Sequence, residues 1–127
     1  MSEEGEKIKV EDIKPEVLIR AIKRFYEMFP DKTEGWFEKS KARLEDVEYM
    51  GKKRGLDVFK VWKNPELGDN YKQKYRKVHL GHHNFYFCTC YYAKYGQARR
   101  FRGEACTHIG AAILFRLVKE EMQNEMS

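Results

Sequence analysis

Across residues 12–29 the apolar positions Val17, Leu18, Ala21, Ile22, Phe25 and Phe29 recur at intervals of three and four, which gathers them on one side of a helix. Pro15 suits the first turn of that helix and Pro30 stops it. Asp31 and Glu34 form a D-x-x-E capping signature for a second helix carrying Trp36, Phe37, Leu44 and Val47. The period then changes. Within LDVFKVWKN, Val58, Lys60 and Trp62 alternate with Phe59, Val61 and Lys63, the two-residue repeat of a strand. The turn residues of NPELGDN separate it from KYRKVHL, and GHHN joins that segment to FYFCTC, a hairpin whose second strand ends at a cysteine pair. From Cys106 the helical period returns with Ile109, Ala112, Ile113, Phe115 and Val118, ahead of the polar tail QNEMS.

These elements predict an α+β fold: two N-terminal helices, a small antiparallel β-sheet and a C-terminal helix. At 127 residues the chain makes one domain, with a helical N-terminal part over 1–51 and a second module over 52–122 that carries every cysteine. A hydrophobic fraction of 42%, with eight Phe, eight Tyr and two Trp, supplies a core, while 35% charged residues and a mean hydropathy of -0.79 describe a wet surface. The start MSEEGEKIKV is acidic where a signal peptide is basic, and no apolar run reaches the ~18 residues of a membrane span. The expected location is therefore cytoplasmic, where three cysteines favour metal binding over a disulfide framework.

Charge is unevenly distributed. Residues 1–51 hold 10 Lys/Arg against 13 Asp/Glu, residues 52–102 hold 13 against 3, and residues 103–127 hold 2 against 4. The positive field belongs to the middle of the chain, and such a field attracts polyanions, nucleic acid first among them.

All three cysteines fall in FCTCYYAKYGQARRFRGEACTH. Cys88, Cys90, Cys106 and His108 form a Cys₃His set of the kind that closes the tetrahedral shell of a structural Zn²⁺. The 15 residues between the pairs are ample to fold the second pair back over the first. Residues i and i+2 share a face on an extended strand but diverge on a helix, so Cys88 and Cys90 suit a strand end. Cys106 then belongs in the turn before the last helix and His108 in its first turn. Three thiolates and a neutral imidazole around Zn²⁺ carry a net negative charge, which favours arginine nearby, and Arg99, Arg100 and Arg102 lie between the pairs. The alternative, three buried thiols and a core histidine, requires every cysteine to fall into ligand spacing by accident. His79, His82 and His83 are weaker candidates: the last two form a pair in the expected hairpin turn, usually an exposed place, though either could replace a ligand.

The pattern C-T-C, fifteen residues, then C-T-H-I-G-A resembles the SWIM zinc finger, with Ala111 supplying the alanine found three residues after the histidine in the recombination-associated branch. VFKVW and KYRKVHL are similar to the hairpin that leads into such fingers, so the resemblance covers about residues 56–117. It implies a ββα zinc module that binds DNA or a protein partner. The nearest likeness is a stand-alone archaeal or bacterial SWIM protein, similar to the Shu-complex mediators that act with RecA-like recombinase paralogues in recombination and DNA repair.

A closed shell leaves no open metal position for water, and the deaminase, nucleophile-elbow and phosphate-loop motifs are missing from the sequence, so no catalytic residues are expected. The expected basic loop interleaves Tyr91, Tyr92, Tyr95 and Phe101 with Lys94, Arg99, Arg100 and Arg102. Cations for phosphates and rings for bases are what single-stranded nucleic acid binding uses. Lys74, Arg76 and Lys77 on the hairpin extend the patch, although alternation puts only some of them on the loop's side. The competing function is a protein adaptor for a RecA-like recombinase paralogue, with Met28, Phe29, Trp36 and Phe37 as either exposed anchors or ordinary helix core.

Overall fold

The computed structural model describes residues 5–82, 85–94 and 96–126. Helix α1, Pro15–Met28, begins with its proline at the first helical position, where a missing N–H leaves nothing unpaired, and stops before Pro30. Helix α2 is Glu34–Ala42. Its cap is Thr33, whose hydroxyl accepts from the Trp36 N–H at 3.1 Å, rather than Asp31. Thr33 is the residue with extended backbone directly before the first turn, which puts its oxygen within reach of the unpaired donors.

A 3₁₀ turn, Leu44–Asp46, follows, so Leu44 and Val47 lie outside the helix. Val47 instead opens strand β2, Val47–Lys53, which pairs on one side with the two-residue strand β1, Glu6–Lys7. The N-terminal part is therefore not purely helical. Strand β3, Leu56–Trp62, returns from β2 through Arg54 and Gly55, both in the left-handed region that a two-residue hairpin turn requires. Strands β4, Tyr75–Leu80, and β5, Tyr86–Cys88, complete a five-stranded antiparallel sheet in chain order. The expected loop at 91–102 is also largely helical: a 3₁₀ turn spans Thr89–Tyr92 and helix α3 spans Gly96–Arg102.

Helix α4, Thr107–Met126, lies between the sheet and α1 with α2, which explains its nearly continuous burial from His108 to Val118. Phe59, Val61, Val78 and Leu80 meet it from the sheet side, and Val17, Ala21, Phe25 and Phe37 from the helix side, in one continuous core. Gly110 permits the α2 approach, since a Cβ there would run into Ser40 Oγ and come within 2.9 Å of the Trp36 ring. Where α1 meets α4, Glu121 accepts from Arg20 at 3.0 Å and from Arg24 at 2.9 Å. The aromatic side chains of α2 are spoken for by this packing: Phe37 is buried, Trp36 and Phe29 lie against Phe25, and Met28 is exposed. No helix among the described residues is long and apolar enough to cross a membrane.

The sheet's two faces differ. Val47, Phe59, Val61, Val78 and Cys88 point toward α4. By strand alternation Lys7, Glu48, Lys60, Trp62, Tyr75 and Lys77 point the other way, where no helix among the described residues packs.

Candidate metal centre and basic groove

Cys88 ends β5 with its side chain on the core face, and the 3₁₀ turn after it swings Cys90 alongside, so that the Cys90 N–H donates to Cys88 Sγ at 3.4 Å. That turn is packed backbone against backbone by α3, because a Cβ on Gly96 would collide with the Cys90 carbonyl oxygen. Cys106 precedes α4 and His108 sits in its first turn, the placement the two-residue spacing predicts. All four side chains are buried, and their donor atoms lie within 4.8 Å of one another.

Three observations test whether this set fits a metal ion. Cys106 Sγ and His108 Nδ1 are 3.6 Å apart, matching the ~3.6 Å edge that tetrahedral metal bonds of ~2.3 Å to sulfur and ~2.1 Å to nitrogen produce. The imidazole is buried edge-on to Tyr71, and Nε2 has no hydrogen-bond partner, so the ring is not held as an ordinary core histidine. Finally, the thiols compete for one negative charge. Burial pushes Cys88 well up, and hydrogen bonding to Cys106 pushes Cys90 up to about 12. At Cys106 burial also opposes ionisation but is outweighed by hydrogen bonds with Cys88, Cys90 and His108, and its pKa falls well below the usual thiol value. A bound cation relieves that competition, and the four groups can hold one.

The short segment carrying Cys106 is held from several directions. Tyr91 OH donates to the Glu104 carbonyl at 2.6 Å and Tyr86 OH to that of Gly103 at 2.7 Å. Trp36 Nε1 and Lys32 Nζ both donate to the Ala105 carbonyl, at 3.0 and 3.2 Å. Arg43, 2% exposed, donates through Nε to Thr107 Oγ1 at 3.1 Å and through its other nitrogens to both Asp69 oxygens at 2.7 and 2.8 Å. Asp69 also accepts from the Asn64 N–H, and its carboxyl is held down to about 2 by these partners against the effect of burial. Sequence reading missed Arg43 and Asp69, since nothing local marks a lone arginine at a helix end or an aspartate in a turn. Ala111 is buried in the core of α4.

The predicted nucleic-acid residues are not equally placed. Lys74, Arg76, Lys77 and Tyr92 line one open groove of about 780 Å³ between β4 and the Thr89–Tyr92 turn, together with Tyr71 and Tyr75. Arg76 stacks on Tyr71, 3.9 Å from guanidinium carbon to ring centroid, and Arg100 lies 5.8 Å from the Tyr92 ring. Lys94, Arg99 and Arg100 are exposed. Arg99 also borders a 190 Å³ cavity beside Cys90 and Cys106 that Arg43, Asp69 and Arg76 line as well. Arg102 is engaged by Glu104 at 2.7 Å. Tyr91 must be corrected: it is 3% exposed and packs on Phe87, so it walls the cluster and offers no ring face to a base. Tyr95 and His83 lie outside the described residues.

Comparison with protein-family models, with characterised proteins and with solved structures finds no match to this chain.

Proposed function

We propose that Cys88, Cys90, Cys106 and His108 hold one structural Zn²⁺, and that the module so fixed binds DNA through the groove beside β4 and the exposed cations of α3. The observation that carries this reading is the groove's single sign of charge: Lys74, Arg76 and Lys77 alternate with Tyr75 and Tyr92, and no carboxylate lines it. The cavity between the sheet and α4 makes the contrast, because there Lys52, Arg116 and Lys119 are matched by Glu6, Asp57 and Glu120. Rings interleaved with unopposed cations suit a polyanion that carries flat bases.

Zinc is the metal chosen by a set of three thiolates and one imidazole, and when bound it supplies charge and a cross-link with every position closed. The module therefore works by binding rather than catalysis. The resemblance to SWIM zinc fingers supports both halves of the reading, and extends it to recombination or repair. A second reading has its own observation: Phe101 is 88% and Phe85 54% exposed, apolar rings suited to a protein partner such as a RecA-like recombinase paralogue.

The test begins with metal content, expected at one zinc per chain, followed by titration of labelled duplex and single-stranded DNA across a salt series. Changing Arg99, Arg100 and Lys74 together to Ala should leave folding intact and weaken binding. The slope of log affinity against log salt should shrink by ~2 to 3, about 0.7 to 0.9 for each phosphate that is no longer neutralised. No binding at low salt by the zinc-loaded protein would sink the DNA reading and leave the protein-partner reading in front.

A further inference from the structure

The sheet face turned away from α4 has an order of its own. In register, Trp62 of β3 lies opposite Tyr75 of β4, Lys60 opposite Lys77, and Val58 opposite His79, which in turn lies opposite Phe87 of β5. A row of rings, a row of lysines and a second ringed row thus follow one another at the two-residue step of a strand, ~6.6 to 6.8 Å apart. Trp62 and Tyr75 meet edge to face at 5.2 Å. The Lys60 ammonium stands 4.7 Å from the Tyr75 centroid and 5.7 Å from that of Trp62, and the Lys7 ammonium stands 5.6 Å from that of Trp62.

One carboxylate, Glu48, belongs to this face, and it is turned inward. It is 6% exposed, accepting from the Gly5 N–H at 2.6 Å and from Trp62 Nε1 at 3.0 Å, so it fixes the indole and leaves the lysines in excess. The face is also continuous with the groove described above. Tyr75 and Lys77 line both, and Phe87 meets Tyr92 edge to face at 5.6 Å.

We propose that this sheet face is a platform for single-stranded nucleic acid, with bases stacked on Trp62, Tyr75 and Phe87 and phosphates met by Lys7, Lys60 and Lys77. The proposal rests on the nucleic-acid reading above and adds strandedness to it. The reason is steric: bases in a duplex are stacked on one another and cannot turn their faces to a sheet, whereas an unpaired strand can lay them on successive rows. The excess of cations gives charge complementarity to a polyanion, and the rings between them discriminate against a polyanion without bases.

The experiment uses the zinc-loaded full chain with fluorescent 15-mers of oligo(dT) and oligo(U) and a 15-base-pair duplex, read by anisotropy at several salt concentrations. Both single strands are expected to bind at least tenfold tighter than duplex, and the tighter of the two identifies the natural sugar. Changing Lys7, which is exposed, and Lys60, which is half-buried, to Gln should lower the single-strand salt slope by ~1.4. Trp62→Leu should weaken oligo(dT) binding by about 5- to 160-fold. Because Trp62→Leu also removes a partner of Glu48, the lysine pair keeps the test valid if that variant misfolds. If duplex binds as tightly as single strands and the lysine variant keeps its affinity and slope, the platform is overturned; a loss on changing Arg99, Arg100 and Lys74 would then still uphold the groove. Failure of the wild-type protein to bind any of the three overturns both.

Discussion

Arg43 and Asp69 offer a quantitative test of how the metal centre is supported. Their side chains are 2% and 6% exposed, and the pair is bidentate, so replacing Arg43 with Met strands a buried carboxylate with the Asn64 N–H as its remaining donor in the fold. Breaking a buried ion pair from one side costs ~3 to 5 kcal/mol, far above the ~0 to 1 kcal/mol of a surface pair. Over 127 residues an unfolding entropy of ~2.1 cal/mol/K per residue amounts to ~0.27 kcal/mol per degree, so the melting temperature should fall by ~11 to 19 °C. Asp69→Leu should cost a similar amount, while the double variant Arg43→Met/Asp69→Leu should recover most of the loss, because neither charge is then left buried alone. The assay is a thermal melt of all four proteins, with a parallel set loaded with cobalt at the proposed site so that the visible spectrum reports its coordination geometry. Arg43→Met should broaden that spectrum, since the Thr107 hydroxyl between Cys106 and His108, two of the proposed ligands, loses its donor. An Arg43→Met loss below ~1 kcal/mol, or a double variant as unstable as the sum of the singles, would refute the buried-pair argument.

The same aspartate sets an acid limb. Its carboxyl is held at about 2, below the ~3.9 of an unfolded chain, so its contribution is complete above about pH 4 and disappears as pH falls toward 2. The gap between wild-type and Asp69→Asn melting temperatures should therefore close over that interval; a constant gap would contradict the linkage. Cys106→Ser should bind less than one metal per chain and melt without zinc dependence, and stoichiometric metal with an unchanged melt would remove Cys106 from the ligand set. Gly110→Ala should destabilise by ~1 to 3 kcal/mol despite the better helix propensity of alanine, because its methyl group meets Ser40 and Trp36; a stabilised variant would show that α2 can move aside.

Where periodicity and side-chain size pointed the same way, the elements were legible in the sequence. Pro15 and Pro30 bracket α1, alternation marks β3 and β4, and the apolar run after Cys106 marks α4. Strand β2 was hidden because its buried Glu48 reads as a solvent residue until Gly5 and Trp62, from distant parts of the chain, supply its donors. Val47 was consequently read as the end of a helix. The Cys₃His cluster, a set that could hold a metal ion, was legible because the meeting of side chains two positions apart is a local property of the chain. Burial of Tyr91 was not, because an aromatic in a basic segment looks the same whether it faces a ligand or a core. Trp62 and Lys60 stood out in the alternation, yet which face of the sheet a helix would cover was decided only by tertiary packing.

The order of the strands follows the order of the chain, so every pairing in the sheet joins neighbours. The helical layer is opposite in character: Arg20 meets Glu121 across 101 positions. Folding should accordingly run at two tempos, with the β2–β3–β4 meander closing short loops early and the α1–α4 seam forming late, when its long loop is finally closed. Interactions made late are absent from the transition state, so those arginine and glutamate pairs act on the rate of unfolding rather than of folding. The seam thus governs how long a folded molecule persists, while the meander governs how soon it forms.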